Sequence, residues 1–288
     1  MKPFAPLLLA FALCARASAD ETVELILVAG QSNAVGYDAK PSELPKDAAD
    51  ANVLFWFRVG DPPPDEFDSV GAKWGPLIPQ PKGTPKTPRG GRQYGNFAQA
   101  DGGFGPEMGL ARTLAAKEKK RLAIVKVAFS GTGMATDWNH ADAGAGGACY
   151  RALVAETKAA VAAAKAQGLT LRIRALVWVQ GESDAGAKAA PLYEKALGDM
   201  IAALRKDLDA PQIIALIAVN TKFGGGGNPF MPKIVEAQKA LAGKDARCVY
   251  VDTSSATIAN SAHYDTKGTL DVGRMFAEAL LKWESTKR

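Results

Sequence analysis

Four short polar segments carry the side chains best suited to chemistry. They are Gly30-Gln31-Ser32-Asn33, Ser130-Gly131-Thr132-Gly133, Gln180-Gly181-Glu182-Ser183-Asp184 and His263-Tyr264-Asp265. A serine hydroxyl is a poor nucleophile unless a neighbouring base takes its proton. The pairing of interest is therefore a serine with a histidine. The chain of 288 residues holds only 2 histidines, His140 and His263, so acid–base chemistry by imidazole has two candidates. Metal chemistry has less to work with. A structural zinc site takes four Cys or His ligands, and the 3 cysteines and 2 histidines show no CxxC or HxxxH spacing.

These segments need a scaffold that brings them together. Residues 23–29, 122–129, 171–180, 212–219 and 246–252 are apolar runs rich in Val, Ile and Leu, mostly without alternation. Strands covered on both faces read that way. Residues 52–57 form a weaker strand candidate. Helical patterns lie between them, over 106–119, 148–167, 191–208, 231–242 and 266–282. This order predicts an α/β fold, a three-layer α/β/α sandwich around a mostly parallel sheet. In such a sheet ligands bind outside the carboxyl ends of the strands. The first three polar segments each follow a strand, and the fourth lies in the loop before the final helix. All four should therefore converge on one edge.

Composition bounds the rest. The chain is 47% hydrophobic and 23% charged, as globular proteins are. Residues 1–19 read as a signal peptide: Lys2, an apolar stretch over 4–13, then Ala17-Ser18-Ala19 as a cleavage site. That predicts a secreted or periplasmic protein with no membrane association after cleavage. Cleavage also removes Lys2 and Arg16 from a formal charge of +5. The remaining excess is too mild to argue for nucleic acid. Cys149 and Cys248 either pair in an oxidising compartment or stay as separate buried thiols. Residues 20–288 read as one domain. A stretch at about 38–105, rich in proline and glycine, interrupts the βα rhythm and is either a surface insertion or a wall of the cleft.

The four segments, in this order and placement, resemble the blocks of SGNH-type hydrolases. They are most similar to the carbohydrate acetylesterase branch that includes sialic acid O-acetylesterases and family 6 acetylxylan esterases. The resemblance implies a serine esterase that removes O-acetyl groups from carbohydrate through an acetyl-enzyme, without a cofactor. It implies Ser32 as nucleophile and His263 as base. It implies an oxyanion hole from the backbone N–H groups of Ser32 and Gly131 and the side chain of Gln180. Many SGNH enzymes carry an asparagine in the third block where this chain has Ser183. The family usually places an aspartate three residues before the histidine, where this chain has Asn260. The residue orienting His263 is then Glu182 or Asn260, with Glu182 preferred. Asp265 is near His263 but also suits the cap of the last helix. His140 has no family counterpart.

Other motifs are weaker. Gly131-Thr132-Gly133 begins a dinucleotide fingerprint but lacks the third glycine. No GxxxxGK[ST] segment occurs. Gly224-Gly225-Gly226-Gly227 reads as a loop at the cleft rim, with a phosphate cradle as the alternative. Two other functions stay open: a carbohydrate-binding protein without turnover, prompted by Asn260, and an esterase for non-sugar acyl esters. The sequence leaves the oligomeric state open.

Overall fold

The structure, a computed structural model, describes residues 21–60, 68–83 and 97–287. The expected signal peptide lies outside the described residues. So do Pro62, Pro63, Pro64, Pro85 and Pro88 of the insertion.

A seven-stranded sheet forms the middle layer. Its strands are β1 (Glu21–Gly30), β2 (Leu54–Gly60), β3 (Asp68–Pro76), β4 (Leu122–Phe129), β5 (Leu169–Val179), β6 (Ile214–Ala218) and β7 (Cys248–Tyr250), in the order β3-β2-β4-β1-β5-β6-β7. Every pairing is parallel except that of β2 with the edge strand β3. The predicted parallel α/β sandwich is therefore the observed fold. The strand β3 was not legible in the insertion. Glycine and proline are tolerated on an edge strand, which hides it from a composition reading.

Among the described residues six α-helices flank the sheet: α1 (Ser32–Val35), α2 (Glu107–Lys117), α3 (Ala148–Lys165), α4 (Tyr193–Asp207), α5 (Met231–Lys244) and α6 (Thr266–Ser285). Strand β1 shows why the apolar runs do not alternate. Val23, Leu25, Leu27 and Ala29 pack on one side with α3, α4 and α5. Ile26 and Val28 pack on the other with α2 and α6. Both faces are covered, so both residue sets are apolar. Fully burying each such leucine or isoleucine is worth about 1.5–3 kcal/mol. Cys149 and Cys248 are separate buried thiols. No described helix is long and apolar enough to cross a membrane.

The topology places β1 at the centre of the sheet. The chain winds out through β2 and β3, returns through β4, and then crosses to β5, β6 and β7. A crevice opens where the winding reverses, at the carboxyl ends of β4, β1 and β5. Gly30 closes β1 there at φ 137°, and a Cβ on it would lie 2.1 Å from the Val179 carbonyl oxygen. Only glycine lets the chain turn so close to β5.

Candidate active site

Ser32 follows Gly30 by two residues and opens the four-residue helix α1. Gly36 ends that helix in the left-handed region, at φ 84°. This turn carries Tyr37 and Asp38 back over the nucleophile turn. On the far side of the cleft, the loop after β7 brings in His263. The isolated bridge Ile258–Tyr264 and the bond from Ala259 N–H to the His263 carbonyl shape that loop.

These residues form one hydrogen-bonded row. Ser32 Oγ lies 3.0 Å from His263 Nε2, and His263 Nδ1 lies 2.6 Å from Asp38 Oδ2. The Tyr37 ring packs against the imidazole, centroids 4.7 Å apart. The hydrogen bond with His263 holds the Asp38 carboxyl below its ordinary range, against partial burial; a second bond, from Asn260, adds to the lowering. A charged acceptor on Nδ1 fixes the tautomer whose Nε2 can take a proton from Ser32.

Asp38 is the group that sequence reasoning missed, and it corrects the choice between Glu182 and Asn260. Neither touches Nδ1. Asn260 donates from Nδ2 to Asp38 Oδ2 at 2.9 Å, and its Oδ1 accepts the N–H groups of Ala262 and His263. It braces the carboxylate and the loop. Glu182 is fully buried, and its Oε1 accepts from Asn33 Nδ2 at 2.7 Å and Asn220 N–H at 3.1 Å. Burial pushes its carboxyl up. Asn33 in turn donates to the Ala262 carbonyl and accepts the Tyr264 N–H. Asn220 Nδ2 also donates to the Ala262 carbonyl, so Glu182 reaches His263 through Asn33 and Asn220 and the residues flanking the histidine. Asp265 caps α6 by accepting the Gly268 N–H.

The expected oxyanion donors divide. Ser32 and Gly131 both line the cleft, a cavity of about 310 Å³ shared with Gln31, Tyr37, Phe223 and His263. Neither the Ser32 nor the Gly131 N–H has a hydrogen-bond partner among the described residues. Gln180 does not join them, which corrects its assignment. It is fully buried, its Nε2 donates to the Thr132 carbonyl and Asp184 Oδ2, and its Oε1 accepts from Tyr193. Both ends of the amide are occupied in holding the loop after β4. His140 lies outside the cleft, facing Tyr150. The glycine run after β6 is no phosphate cradle. Its four N–H groups bond to the carbonyls of Ser261, Lys222 and Gly224. Among the described residues no three His, Cys, Asp or Glu side chains group as a metal site would need.

Comparison with known proteins follows this geometry. Residues 88–282 match the family described as carbohydrate esterase, sialic acid-specific acetylesterase. The fold is similar to that of a protein from Arabidopsis thaliana, at 20% identity and TM-score 0.62, over 90% of this chain and 98% of that one. NanS is similar at 18% identity and TM-score 0.57, over 93% and 99%. A carbohydrate acetylesterase from Xanthomonas citri is similar at 17% identity and TM-score 0.56, over 88% of this chain and 55% of that one. No curated protein sequence matches the chain. The family match spans well over half of the sequence and includes the loops that bear Gly131, Glu182 and His263. The chain belongs to the carbohydrate esterase family of sialic acid-specific acetylesterases, which makes it a carbohydrate O-acetylesterase.

Proposed function

We propose that this esterase works through a serine nucleophile and an acetyl-enzyme. The observation that carries the reading is the row Ser32–His263–Asp38, with contacts of 3.0 and 2.6 Å. Ser32 Oγ attacks the acetyl carbonyl carbon, and its proton passes to His263 Nε2. The carbonyl electron pair moves onto oxygen, where the Ser32 and Gly131 N–H groups receive it. Collapse breaks the bond to the sugar oxygen, which leaves with the proton from Nε2. Water then attacks acetyl-Ser32, giving its proton to Nε2. Acetic acid departs as Ser32 Oγ recovers the proton, and it ionises to acetate in solution. Asp38 keeps its negative charge throughout and stabilises the imidazolium that forms twice.

The substrate class is an O-acetylated carbohydrate, and the family's description makes an O-acetylated sialic acid the first to try. A cavity of about 310 Å³ suits an acetyl group with part of one sugar ring. On the strength of residues 1–19, export to the periplasm or the medium is part of the same proposal. Hydrolysis of 4-nitrophenyl acetate, and acetate release from O-acetylated sialic acid, tests the chemistry. Wild type should turn over and Ser32→Ala should not. Turnover by Ser32→Ala, or none by wild type, contradicts the reading.

A further inference from the structure

Gln31 is one residue before the nucleophile, and its side chain has one end tied and one end open. Its Oε1 accepts the N–H of Ser183 at 3.2 Å and that of Gly181 at 3.5 Å. Those two donors fix which way the amide faces. Reversing it would set its own N–H groups against theirs. The Nε2 end is therefore turned away from the loop after β5. It makes no hydrogen bond among the described residues, although Gln31 is only 3% exposed. Gln31 lines the same cleft as Ser32 and Gly131. Its Nε2 is not sealed in the core but opens to the cleft, so a fixed amide donor beside the nucleophile points to a ligand atom that completes it.

The neighbouring amide sharpens the argument. Gln180 has every contact satisfied inside the protein and offers nothing to the cleft. Ser183, which stands in the third block where many SGNH enzymes carry an asparagine, contributes its backbone N–H to Gln31 instead of a side-chain amide to the cleft. The side-chain amide over this loop thus comes from the first block.

We infer that the Gln31 side-chain N–H is the third oxyanion donor, joining the backbone N–H groups of Ser32 and Gly131 on the acetyl carbonyl oxygen. This rests on the serine-esterase reading. The developing negative charge then meets three fixed donors, two from the turn at the end of β1 and one from the loop after β4. Donors held in place before reaction lower the barrier because nothing has to reorganise as charge develops.

The test is kinetic and uses the full chain with 4-nitrophenyl acetate. Gln31→Glu keeps an oxygen for the Gly181 and Ser183 N–H groups and removes the amide donor. Gln31→Ala removes both and adds no charge. Both variants should lose roughly 10²–10³ in kcat with KM changed less than about threefold. The melting temperature of Gln31→Glu should stay close to that of wild type, whereas Gln31→Ala, which leaves the Gly181 and Ser183 N–H groups without that acceptor, should melt lower. Should one variant fail to fold, the other carries the same expectation. A Gln31→Glu enzyme with kcat within about threefold of wild type overturns the inference, because an anchor for the 181–183 loop alone would behave that way. So does a loss confined to KM. If wild type is active and Ser32→Ala silent, either result sinks the Gln31 role alone. An inactive wild type removes the esterase reading and this inference together.

Discussion

Asp38 Oδ2 lies 2.6 Å from His263 Nδ1, although 225 residues separate them in the chain. The carboxylate comes from the turn that also bears Ser32, six residues further on. Nucleophile and orienting acid are therefore carried on one short segment, and His263 is inserted between them from the opposite wall. This makes the proposed catalysis depend on one ring, His263, and its two contacts with the segment from Ser32 to Asp38.

Asp38→Asn should preserve the fold and most of KM while lowering kcat by roughly 10³–10⁴, as loss of the correct tautomer does in serine proteases. Steady-state rates with 4-nitrophenyl acetate measure it. Asn260→Ala should cost less, about tenfold, since it removes one hydrogen bond to the carboxylate and the acceptor of the Ala262 and His263 N–H groups but leaves the carboxylate in place. Equal losses in the two variants would place the orienting role on Asn260.

Glu182 offers a contrast between two substitutions. Glu182→Gln keeps an acceptor for Asn33 and Asn220, and its kcat should stay within about tenfold of wild type. Glu182→Ala leaves two buried donors without a partner, at about 1–3 kcal/mol each. Its melting temperature should fall, and the loop over 262–264 should exchange amide hydrogen faster. A kcat loss in Glu182→Gln as deep as that in Asp38→Asn would give Glu182 the direct role.

Two carboxyls should bend the pH dependence of stability in opposite senses. The folded value of Asp38 is depressed. Its contribution is present above the ordinary aspartate value, about 3.9, and is lost as pH falls through the lower folded value. The stability gap between wild type and Asp38→Asn should therefore close on acidification. The folded value of Glu182 is raised. Its contribution is present below about 4.3 and is lost as pH rises through the raised folded value. Glu182→Gln should therefore gain on wild type as pH rises above about 4.3 toward the raised folded value. Urea midpoints at several pH values check both signs.

The two histidines provide a further separation. His263→Ala should abolish acetyl transfer, and His140→Ala should keep most of it, because only His263 faces Ser32. Comparable losses would mean that the ring beside Tyr150 takes part.

Much of this arrangement was legible in the chain. Strands buried on both faces leave unbroken apolar runs, so β1, β4, β5, β6 and β7 could be placed, and their loops identified Ser32, Gly131 and His263. The acid escaped notice for a physical reason. Asp38 opens what reads as a proline- and glycine-rich insertion, and only the left-handed turn at Gly36 folds it back. The family pattern drew attention to Asn260, which supports the acid instead of replacing it. Gln180 had the right type in the right loop. Its direction is set by Thr132, Asp184 and Tyr193, partners that no local pattern announces. The binding-only alternative rested on Asn260, and the Asp38 contact removes that ground.

The most direct measurement is covalent capture of the nucleophile. Wild type is treated with diethyl 4-nitrophenyl phosphate, and the modified peptide is identified by mass spectrometry while the labelling rate is followed. The account predicts one diethylphosphoryl group on Ser32, absent in Ser32→Ala, at least about 10³-fold slower in Asp38→Asn, and little changed in Glu182→Gln. Label on another residue, or Asp38→Asn reacting at the wild-type rate, would contradict it.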